Sequence, residues 1–492
     1  MSRFRFRTRT ARRGLATAVV FPALAVPALL AVQWPFDGLA PTRGQTAVAA
    51  TAPAGTPVIH VSPNGNDSAD GSAGAPLRTP QRAVDRLGSN GGVVELAGGR
   101  YAGQRIVLAN RRHVVVRAAA GARPVLDATG LAVPAGTTGV VEVRDGADIT
   151  ITGLEITGYR TRSLQAVPVG IYATGATSGL RIEGNHVHHL GNDNRTAGSF
   201  DINAHGIAVY GRSATASTTG LVIADNEVDH LVLGASETVV VNGNVDGFRV
   251  TGNSIHDNNN IGIDLIGFER TISGPARFTE VNRARNGVVS GNVVTRIISE
   301  GNPAYDEGDG YCNCAGGIYV DGAARVVIEN NVVADSDIGL EVASEWARGR
   351  TNDIVVRANM ISGSRYVGLA VGGYDRRRGE AFGITVTGNT LRGNNTLDDG
   401  SPEILLQYYV HDSRITGNSV TTTNRGNPLL VSRVQPAGDA AKNANLTLDS
   451  NAYAGPVAAG SALFVWNGRG VTGLANWTRI SGQDANSTWT QR

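Results

Sequence analysis

Residues 317–342, which read GIYVDGAARVVIENNVVADSDIGLEV, contain the pattern that decides the fold. Two short strands each begin with a glycine, and between them lie a β-branched run, Asn331 and a second apolar pair. Strands this short cannot bury their own apolar side chains, so each must stack against a copy of itself. The stretch therefore predicts one coil of a solenoid that starts to repeat at Gly339.

The phrase around Asn331, a small or polar residue followed by asparagine, any residue and an aliphatic one, recurs along most of the chain. Successive asparagines are 41, 27, 39, 39, 28, 30 and 29 residues apart, so the connections between coils differ in length. We expect these asparagines to form a ladder inside a turn, with their amides hydrogen-bonded to one another and to the backbone. The members of the expected ladder are Asn185, Asn226, Asn253, Asn292, Asn331, Asn359, Asn389 and Asn418.

The glycine-led strand also recurs, and alternate residues of a strand face opposite sides of a sheet. Its aliphatic positions should therefore fill the interior, and the residues between them should face outward. The positions expected inside are Ile263, Leu265, Ile318, Val320, Leu340 and Val342. The column expected outside is Tyr172, Ala208, Val240, Asp264, Tyr319, Glu341 and Ala370.

This repeat resembles the pectate-lyase-like superfamily of right-handed parallel β-helices, over roughly residues 58–455. The opening segments HVSPNGND (60–67) and PLRTPQRAV (76–84) resemble the first strand and capping helix of exported β-helix enzymes that act on carbohydrates. The tail, with FVWN at 464–467 and SGQD at 481–484, resembles the closing segment of such proteins. The resemblance implies an all-β, right-handed parallel β-helix of about ten or more coils with capped ends.

Length and composition favour one large domain. The chain has 492 residues, 41% of them apolar, and its 64 glycines suit a repetitive architecture with many turns. We expect a single β-helix domain over residues 51–492, with an N-terminal cap at 58–90 and a C-terminal cap at 456–492. The 44 basic residues nearly balance the 42 acidic ones, which argues against a nucleic-acid partner. Lys442 is the only lysine, so a lysine base or Schiff base is not expected.

Residues 1–50 have the composition of an export signal or a membrane anchor. A basic segment precedes an apolar run at 14–32, and small residues follow it. We expect a secreted or cell-envelope protein that keeps no stable membrane contact once the signal is removed. Cys312 and Cys314 are close together, which is compatible with a loop disulfide in an oxidising compartment or with metal binding, and we favour the structural loop.

Three carboxylates, Asp264, Asp321 and Glu341, fall on outward positions of three consecutive coils. Asp321 and Glu341 are diagonal neighbours that we expect to point into solvent, with their carboxyl groups roughly 5 to 7 Å apart, as in retaining glycosidases. Two acids this close should not both ionise easily, so one pKa should rise. That arrangement suits a general acid beside a nucleophile.

The stretch around these acids also resembles the catalytic segment of bacterial β-helix glycosidases of the β-xylosidase type. The resemblance implies that Asp321 is the nucleophile and Glu341 the acid/base. For Asp264, on the other side of Asp321, we expect contact with a sugar hydroxyl, an influence on the nucleophile or cation binding. The expected substrate-binding residues are four aromatic ones, three acids at strand ends and one loop arginine: Tyr210, Tyr319, Trp346, Tyr374, Glu269, Glu345, Asp375 and Arg348.

Three functions therefore remain in view, all with a polysaccharide or oligosaccharide as partner. The first is a retaining glycoside hydrolase without a cofactor. The second is a lyase or epimerase for uronate-containing glycans, in which loop arginines serve as base or carboxylate grip and the three acids hold Ca²⁺. The third is an envelope protein that binds glycans without catalysis. His186, His188, His189 and His205 suggest a metal site, but the first three follow one turn asparagine and have no acid partner at a recognised zinc spacing, so we assign no metal ligands.

Overall fold

The computed structural model describes residues 55–308, 310–433 and 444–492. These residues form three long sheets, and the strands pair in parallel except for one hairpin near the C-terminus. The predicted right-handed parallel β-helix is therefore confirmed, and two of the sheets have 13 strands each in the described residues, which agrees with ten or more coils. The expected signal or anchor at 1–50 lies outside the described residues. No described helix combines the length and hydropathy needed to cross a bilayer.

Sheet 1 contains the glycine-led strands and carries the candidate site. Its strands are Ile106–Ala109, Gly136–Arg144, Ala166–Gly175, His205–Gly211, Val239–Gly243, Ile263–Ile266, Gly316–Asp321, Ile338–Ala343, Val367–Gly372, Ile404–Gln407, Leu430–Arg433, Leu463–Trp466 and Arg469–Thr472. The last two form the antiparallel hairpin.

Sheet 2 follows sheet 1 in each coil and contains the β-branched runs. Its strands are Val58–Val61, Gly92–Leu96, Arg112–Ala118, Ala147–Thr152, Arg181–Glu183, Thr218–Ala224, Val245–Thr251, Arg285–Ser290, Ala324–Glu329, Thr351–Arg357, Thr385–Thr387, Ser413–Thr416 and Leu446–Asp449, with Ala381–Phe382 and Val410–His411 at its side.

Sheet 3 follows the asparagine turn. Its strands are Gly99–Ala102, Pro124–Asp127, Glu155–Thr157, His186–His188, Glu227–Asp229, Ser254–Asn258, Val293–Ile297, Val332–Ala334, Met360–Ser362, Thr390–Arg392, Ser419–Thr421, Ala452–Gly455 and Thr488–Gln491. A separate two-stranded sheet joins Arg160–Thr161 to Gly191–Asn192.

Helices are few and short among the described residues. Pro80–Arg86 lies in the 58–90 segment, where the Thr79 hydroxyl caps it by accepting a bond from the Arg82 N–H. Leu474–Ser481 lies in the C-terminal segment and buries Trp477 against the last coils. The 3₁₀ turns are Gly274–Phe278, Glu280–Asn282, Pro303–Tyr305 and Ala459–Ser461.

One apolar core runs through the coils. All six aliphatic residues that the alternation placed inside sheet 1 are fully buried in it. The outward column is confirmed as well, because the strand register pairs Val240 with Asp264, Asp264 with Tyr319, and Tyr319 with Glu341. The repeated glycine is required at the corner before these strands. A Cβ at Gly339 would lie 2.3 Å from Cγ2 of Ile361 and 2.4 Å from the carbonyl oxygen of Gly368.

The asparagine ladder has the expected hydrogen bonds. At Asn331, Nδ2 donates to Oδ1 of Asn359 on the next coil (2.9 Å) and to the carbonyl oxygen of Val289 on the preceding coil (3.0 Å). Its Oδ1 accepts both the backbone N–H (3.0 Å) and Nδ2 (2.9 Å) of Asn292. The same pattern joins all eight predicted members, and Asn418 continues it to Asn451.

The residue before each ladder asparagine explains the rest of the phrase. These residues all have a positive φ between 52° and 68°, the left-handed region that favours glycine, asparagine and aspartate. They are Gly184, Asp225, Gly252, Gly291, Asn330, Ala358, Gly388 and Gly417. The left-handed residue turns the chain from sheet 2 into sheet 3, so the next side chain points into the turn.

We predict that Asn331→Ala destabilises the protein by about 3 kcal/mol or more, because it leaves buried amide groups of the neighbouring rungs without partners. The matched control is Asn476→Ala, at an exposed asparagine of the last helix. Thermal unfolding followed by circular dichroism should show a clear fall in Tm for Asn331→Ala and almost none for the control. Equal Tm values for the two variants would contradict a supporting role for the ladder.

Candidate active site

The strand register brings the three predicted acids together. Asp264 pairs with Tyr319, and Tyr319 pairs with Glu341, so these residues form one outward column across three coils. Asp321 lies two residues beyond Tyr319 and pairs with Ala343, which makes it a diagonal neighbour of both Asp264 and Glu341. The sequence alignment therefore placed these acids correctly relative to one another.

The expectation that Asp321 and Glu341 point into solvent is wrong. Their exposed fractions are only 6% and 5%, and that of Asp264 is 2%. They point away from the apolar core but lie beneath side chains from the insertions. Glu345 bonds to Asp321 through its backbone N–H, and the Tyr305 phenol has its pKa raised by burial and by the charges of Glu345 and Asp264.

Six carboxylic acids share this site, and we call them the acid cluster. Glu269 and Glu345, which the sequence placed at strand ends, belong to it, and one further member was not predicted. Each member has a raised pKa, caused first by burial and then, for most of them, by the charges of its neighbours. The members are Glu237, Asp264, Glu269, Asp321, Glu341 and Glu345.

Asp321 and Glu341 have different hydrogen-bond environments. Oδ1 of Asp321 accepts the backbone N–H of Glu345 at 2.8 Å, a bond that favours the ionised carboxylate. Burial and the charge of Glu345 act in the opposite direction and hold the pKa of Asp321 well above its ordinary value. Glu341 has only a long contact from Nε2 of Gln407, at 3.5 Å, and burial and Glu345 raise its pKa to about 8. Glu341 is therefore protonated at neutral pH.

Glu345 and Asp264 complete the centre of the cluster. Burial raises the pKa of Glu345 to about 7, although the nearby Arg378 and the Tyr319 hydroxyl, which donates to Oε1 at 3.4 Å, lower it. Oδ1 of Asp264 is buried and has no hydrogen-bond partner in the described part of the chain. Burial and the charges of Glu237 and Asp321 raise the pKa of Asp264 well above its ordinary value.

Glu237 is the member that the sequence analysis missed. Oε2 of Glu237 lies 3.4 Å from Nδ1 of His205, whose Nε2 lies 3.3 Å from the Tyr210 hydroxyl. Burial raises the pKa of Glu237 and lowers that of His205 to about 4, and both shifts disfavour an ion pair between the two groups. His205 and Glu237 each directly precede the glycine position of the repeat. Comparing that position between coils could have identified these two ionisable residues. His205 therefore belongs to this site and lies apart from His186, His188 and His189.

Glu269 is held by its own contacts at the rim. Nδ2 of Asn242 donates to its Oε2 at 2.6 Å, and the Thr271 hydroxyl donates to Oδ1 of Asn242 at 2.7 Å. Burial raises the pKa of Glu269, while Asn242 and the charge of Arg277 act against this shift. Glu269 is thus positioned by side chains from two neighbouring coils.

The predicted aromatic platforms are mostly covered. Tyr319 is 5% exposed and packs with Ile261 and Ala343, so its hydroxyl, not its ring face, reaches the cluster. The guanidinium carbon of Arg277 lies 4.4 Å from the ring centre of Trp346, and that of Arg378 lies 3.9 Å from the ring centre of Tyr374. Open stacking faces for sugar rings are therefore not provided by these three residues.

Two predicted substrate-binding residues lie outside the acid cluster. Asp375 forms an ion pair with Arg378 at 2.6 Å. Arg348 is exposed, stacks on Phe278 at 4.7 Å and lines a groove of about 610 Å³ together with Arg376 and Arg377. Three of the loop arginines therefore line a groove outside the acid cluster, whereas Arg378 pairs with Asp375 and Arg350 with Glu280.

The described residues contain two groups of three side chains that could hold a metal ion. Among the described residues, the groups of three ligand atoms lying within 4.8 Å of one another all involve His186 and acids of sheet 3, not Asp264, Asp321 or Glu341. Cys312 and Cys314 form a disulfide with each other, as expected for a structural loop.

The sequence has a relative among known proteins. It is 34% identical to the uncharacterized protein YwoF of Bacillus subtilis (strain 168) over 398 residues, and this alignment covers 80% of each chain. The chain belongs to the YwoF family. No family model matches the sequence.

Solved structures of other proteins are similar in fold to this YwoF-family chain. The GH136 lacto-N-biosidase of Eubacterium ramulus superimposes with a TM-score of 0.58 at 12% identity, over 80% of this chain and 67% of the other. The A-module of the Azotobacter vinelandii mannuronan C-5 epimerase AlgE4 superimposes with a TM-score of 0.53 at 14% identity, over 83% of this chain and 94% of the other. These likenesses show the shared parallel β-helix.

We predict a pH-dependent stability that Glu341 controls. The folded-state pKa of about 8 lies above the ordinary value of 4.5, so the folded protein holds this proton more tightly than the unfolded chain. The free energy of unfolding should therefore fall as the pH rises from about 4.5 to about 8. Glu341→Gln, which cannot ionise, should have a Tm that rises relative to wild type between pH 5 and pH 8.

The control for this measurement is Glu307→Gln, at an exposed glutamate of the 299–315 loop. Its Tm difference from wild type should stay constant over the same pH range. A constant difference for Glu341→Gln as well would contradict the assignment of a buried neutral acid.

Proposed function

We propose that the protein is a carbohydrate-active enzyme that cleaves glycosidic bonds, with Asp321 as nucleophile and Glu341 as acid/base of a retaining glycoside hydrolase. One observation carries this proposal. Glu341, whose pKa is raised by burial to about 8, lies on the coil next to Asp321, whose Oδ1 accepts a main-chain N–H, a bond that favours the ionised form. Retaining hydrolysis needs this combination of a protonated and an ionised acid.

The first step would transfer the proton of Glu341 to the glycosidic oxygen as its bond to the anomeric carbon breaks. Oδ2 of Asp321 would attack that carbon, because Oδ1 is engaged by the N–H of Glu345. The products are a glycosyl ester on Asp321 and a free alcohol. Glu341, now ionised, would take a proton from water, and the hydroxide equivalent would release the sugar and restore Asp321.

The rest of the acid cluster would support the charge changes. Positive charge develops on the sugar ring in the transition state, and surrounding carboxyl oxygens stabilise it. The reactive form that we propose has Asp321 ionised and Glu341 protonated, since adjacent carboxylates do not all ionise together. The half-buried acids Glu237, Glu269 and Glu345 would accept hydrogen bonds from sugar hydroxyls.

A glycan substrate is supported by two independent considerations. A site made of carboxyl groups and tyrosine hydroxyls matches a ligand that is rich in hydroxyl groups. The solved structures that share this fold include proteins named as a lacto-N-biosidase and a mannuronan epimerase. We also propose that the protein is exported, which the character of residues 1–50 and the Cys312–Cys314 disulfide support.

We predict that Asp321→Asn and Glu341→Gln each lower turnover of a cleaved glycan by about a hundredfold to ten-thousandfold. The matched control is Glu403→Gln, because Glu403 is also fully buried with a pKa raised to about 7 but bonds to Asn394 away from the cluster. Circular dichroism should show that all three variants are folded. Turnover should fall only in the two cluster variants.

The assay follows reducing ends and the absorbance of unsaturated sugars over a panel of glycans, with and without a chelator. Reducing ends without unsaturated products, and insensitive to the chelator, support the hydrolase. Unsaturated products that disappear on chelation would show a Ca²⁺-dependent lyase and refute the proposal. Binding without any cleavage, or unchanged turnover in both cluster variants, would refute it too.

A further inference from the structure

A second group of chemically active side chains lies on sheet 3, away from the acid cluster. Five of the nine histidines of the chain gather there, and we call them the histidine patch. They come from three consecutive strands and the turns that follow them. The patch consists of His186, His188, His189, His230 and His256.

The stacking of coils places acidic side chains beside these histidines, although no acid stands at a zinc-binding spacing from them in the sequence. The register places His186 beside Glu155 of the preceding coil and beside Glu227 of the next one. Nε2 of His188 lies 3.3 Å from Oε1 of Glu155, and the rings of His186 and His188 stack with their centres 4.2 Å apart. Glu155, His186 and His188 each offer a ligand atom, and these three atoms lie within 4.8 Å of one another.

We propose that Glu155, His186 and His188 bind one divalent transition-metal ion of the Zn²⁺ class. Two imidazoles and one carboxylate form a donor set that favours such an ion over Ca²⁺ or Mg²⁺, which prefer oxygen ligands. All three side chains are half-buried, so water can reach the remaining coordination position. The site lies on a different sheet from the acid cluster and does not depend on the proposed glycosidase activity.

Neighbouring side chains hold the two imidazoles in place. Oδ2 of Asp229 lies 2.8 Å from Nε2 of His186, and Nδ1 of His189 lies 2.7 Å from Nδ1 of His188. Carboxylate and imidazole partners of this kind fix the orientation and tautomer of metal-binding histidines. Asp229 is a positioning residue in this arrangement.

A second triad, His186, Glu227 and Asp229, also brings its ligand atoms within 4.8 Å. It shares His186 with the first triad, so we assign a single ion. It contains only one imidazole, and its Asp229 is already bonded to His186 and, through Oδ1, to Nδ1 of His230 at 2.7 Å. The triad with two imidazoles is therefore the better site for a metal of the Zn²⁺ class.

The test uses the full chain, prepared without a histidine tag and stripped of metal. Calorimetric titration with Zn²⁺ should give one ion per chain. His188→Ala should raise the Kd by about a hundredfold, and Glu155→Gln and Asp229→Asn by about tenfold. His411→Ala, at a half-buried histidine of sheet 2 outside the patch, should bind as wild type.

Thermal unfolding provides a second readout, because an ion that binds only the folded state raises Tm. Zn²⁺ should raise the Tm of wild type and His411→Ala but not of His188→Ala, and Ca²⁺ should raise none of them. Absence of Zn²⁺ binding in wild type, or wild-type affinity in His188→Ala and Glu155→Gln, would overturn the proposal. A larger loss in Glu227→Gln than in Glu155→Gln would overturn the choice of triad.

Discussion

The hydrogen bonds between stacked asparagine amides are the interaction on which the rest of the structure depends. Each buried amide uses both its donor and its acceptor, linking its own coil to the one before and the one after. A slip of one residue in any coil would break these bonds and turn the aliphatic side chains outward. The ladder therefore fixes the register of all three sheets at one corner of the coil, and leaves the other corners free to vary.

That freedom explains where the candidate site lies. The spacing between ladder asparagines ranges from 27 to 41 residues, yet the strands of sheet 1 remain in register. The two 39-residue gaps contain the insertions 268–285 and 299–315 beside sheet 1. With the loops 345–353 and 374–382, these segments bring Glu269, Tyr305, Glu345 and Tyr374 to the acid cluster. A rigid register below and variable loops above are a common basis for binding and catalytic sites.

Residue patterns predicted everything that follows from register. The ladder, the inward aliphatic residues and the outward column of Asp264, Tyr319 and Glu341 all result from the period of the repeat and the alternation of strands. The last rungs were missed because Tyr453 occupies the aliphatic position of the phrase after Asn451, and because Asp484 completes the ladder by accepting the Asn451 amide at 3.1 Å. An aspartate cannot be recognised as a rung from an asparagine phrase.

Patterns did not predict contacts that depend on how loops fold over a sheet. The burial of Asp321 and Glu341 depends on side chains from insertions that have no repeat, and Glu237 was overlooked because it precedes the strand proper. The acids beside His186 were missed for a different reason. Glu155 and Asp229 lie 31 and 43 residues from His186 in the sequence, and only the stacking of coils brings them close to it. Sequence spacing is informative for metal ligands on one helix or loop, but not across coils.

The ladder amides and the acid cluster are both buried and polar, but they affect the stability of the fold in opposite ways. Every ladder amide is satisfied, so the ladder adds specificity without leaving a charge or an unpaired donor. The acid cluster places six carboxyl groups together, raises each pKa and leaves Oδ1 of Asp264 without a partner in the described residues. Apolar residues at these positions would stabilise the fold more, as they do on neighbouring coils at Val240 and Ala370. The fold does not require these acids, whereas a reaction on a bound substrate would explain why they are present.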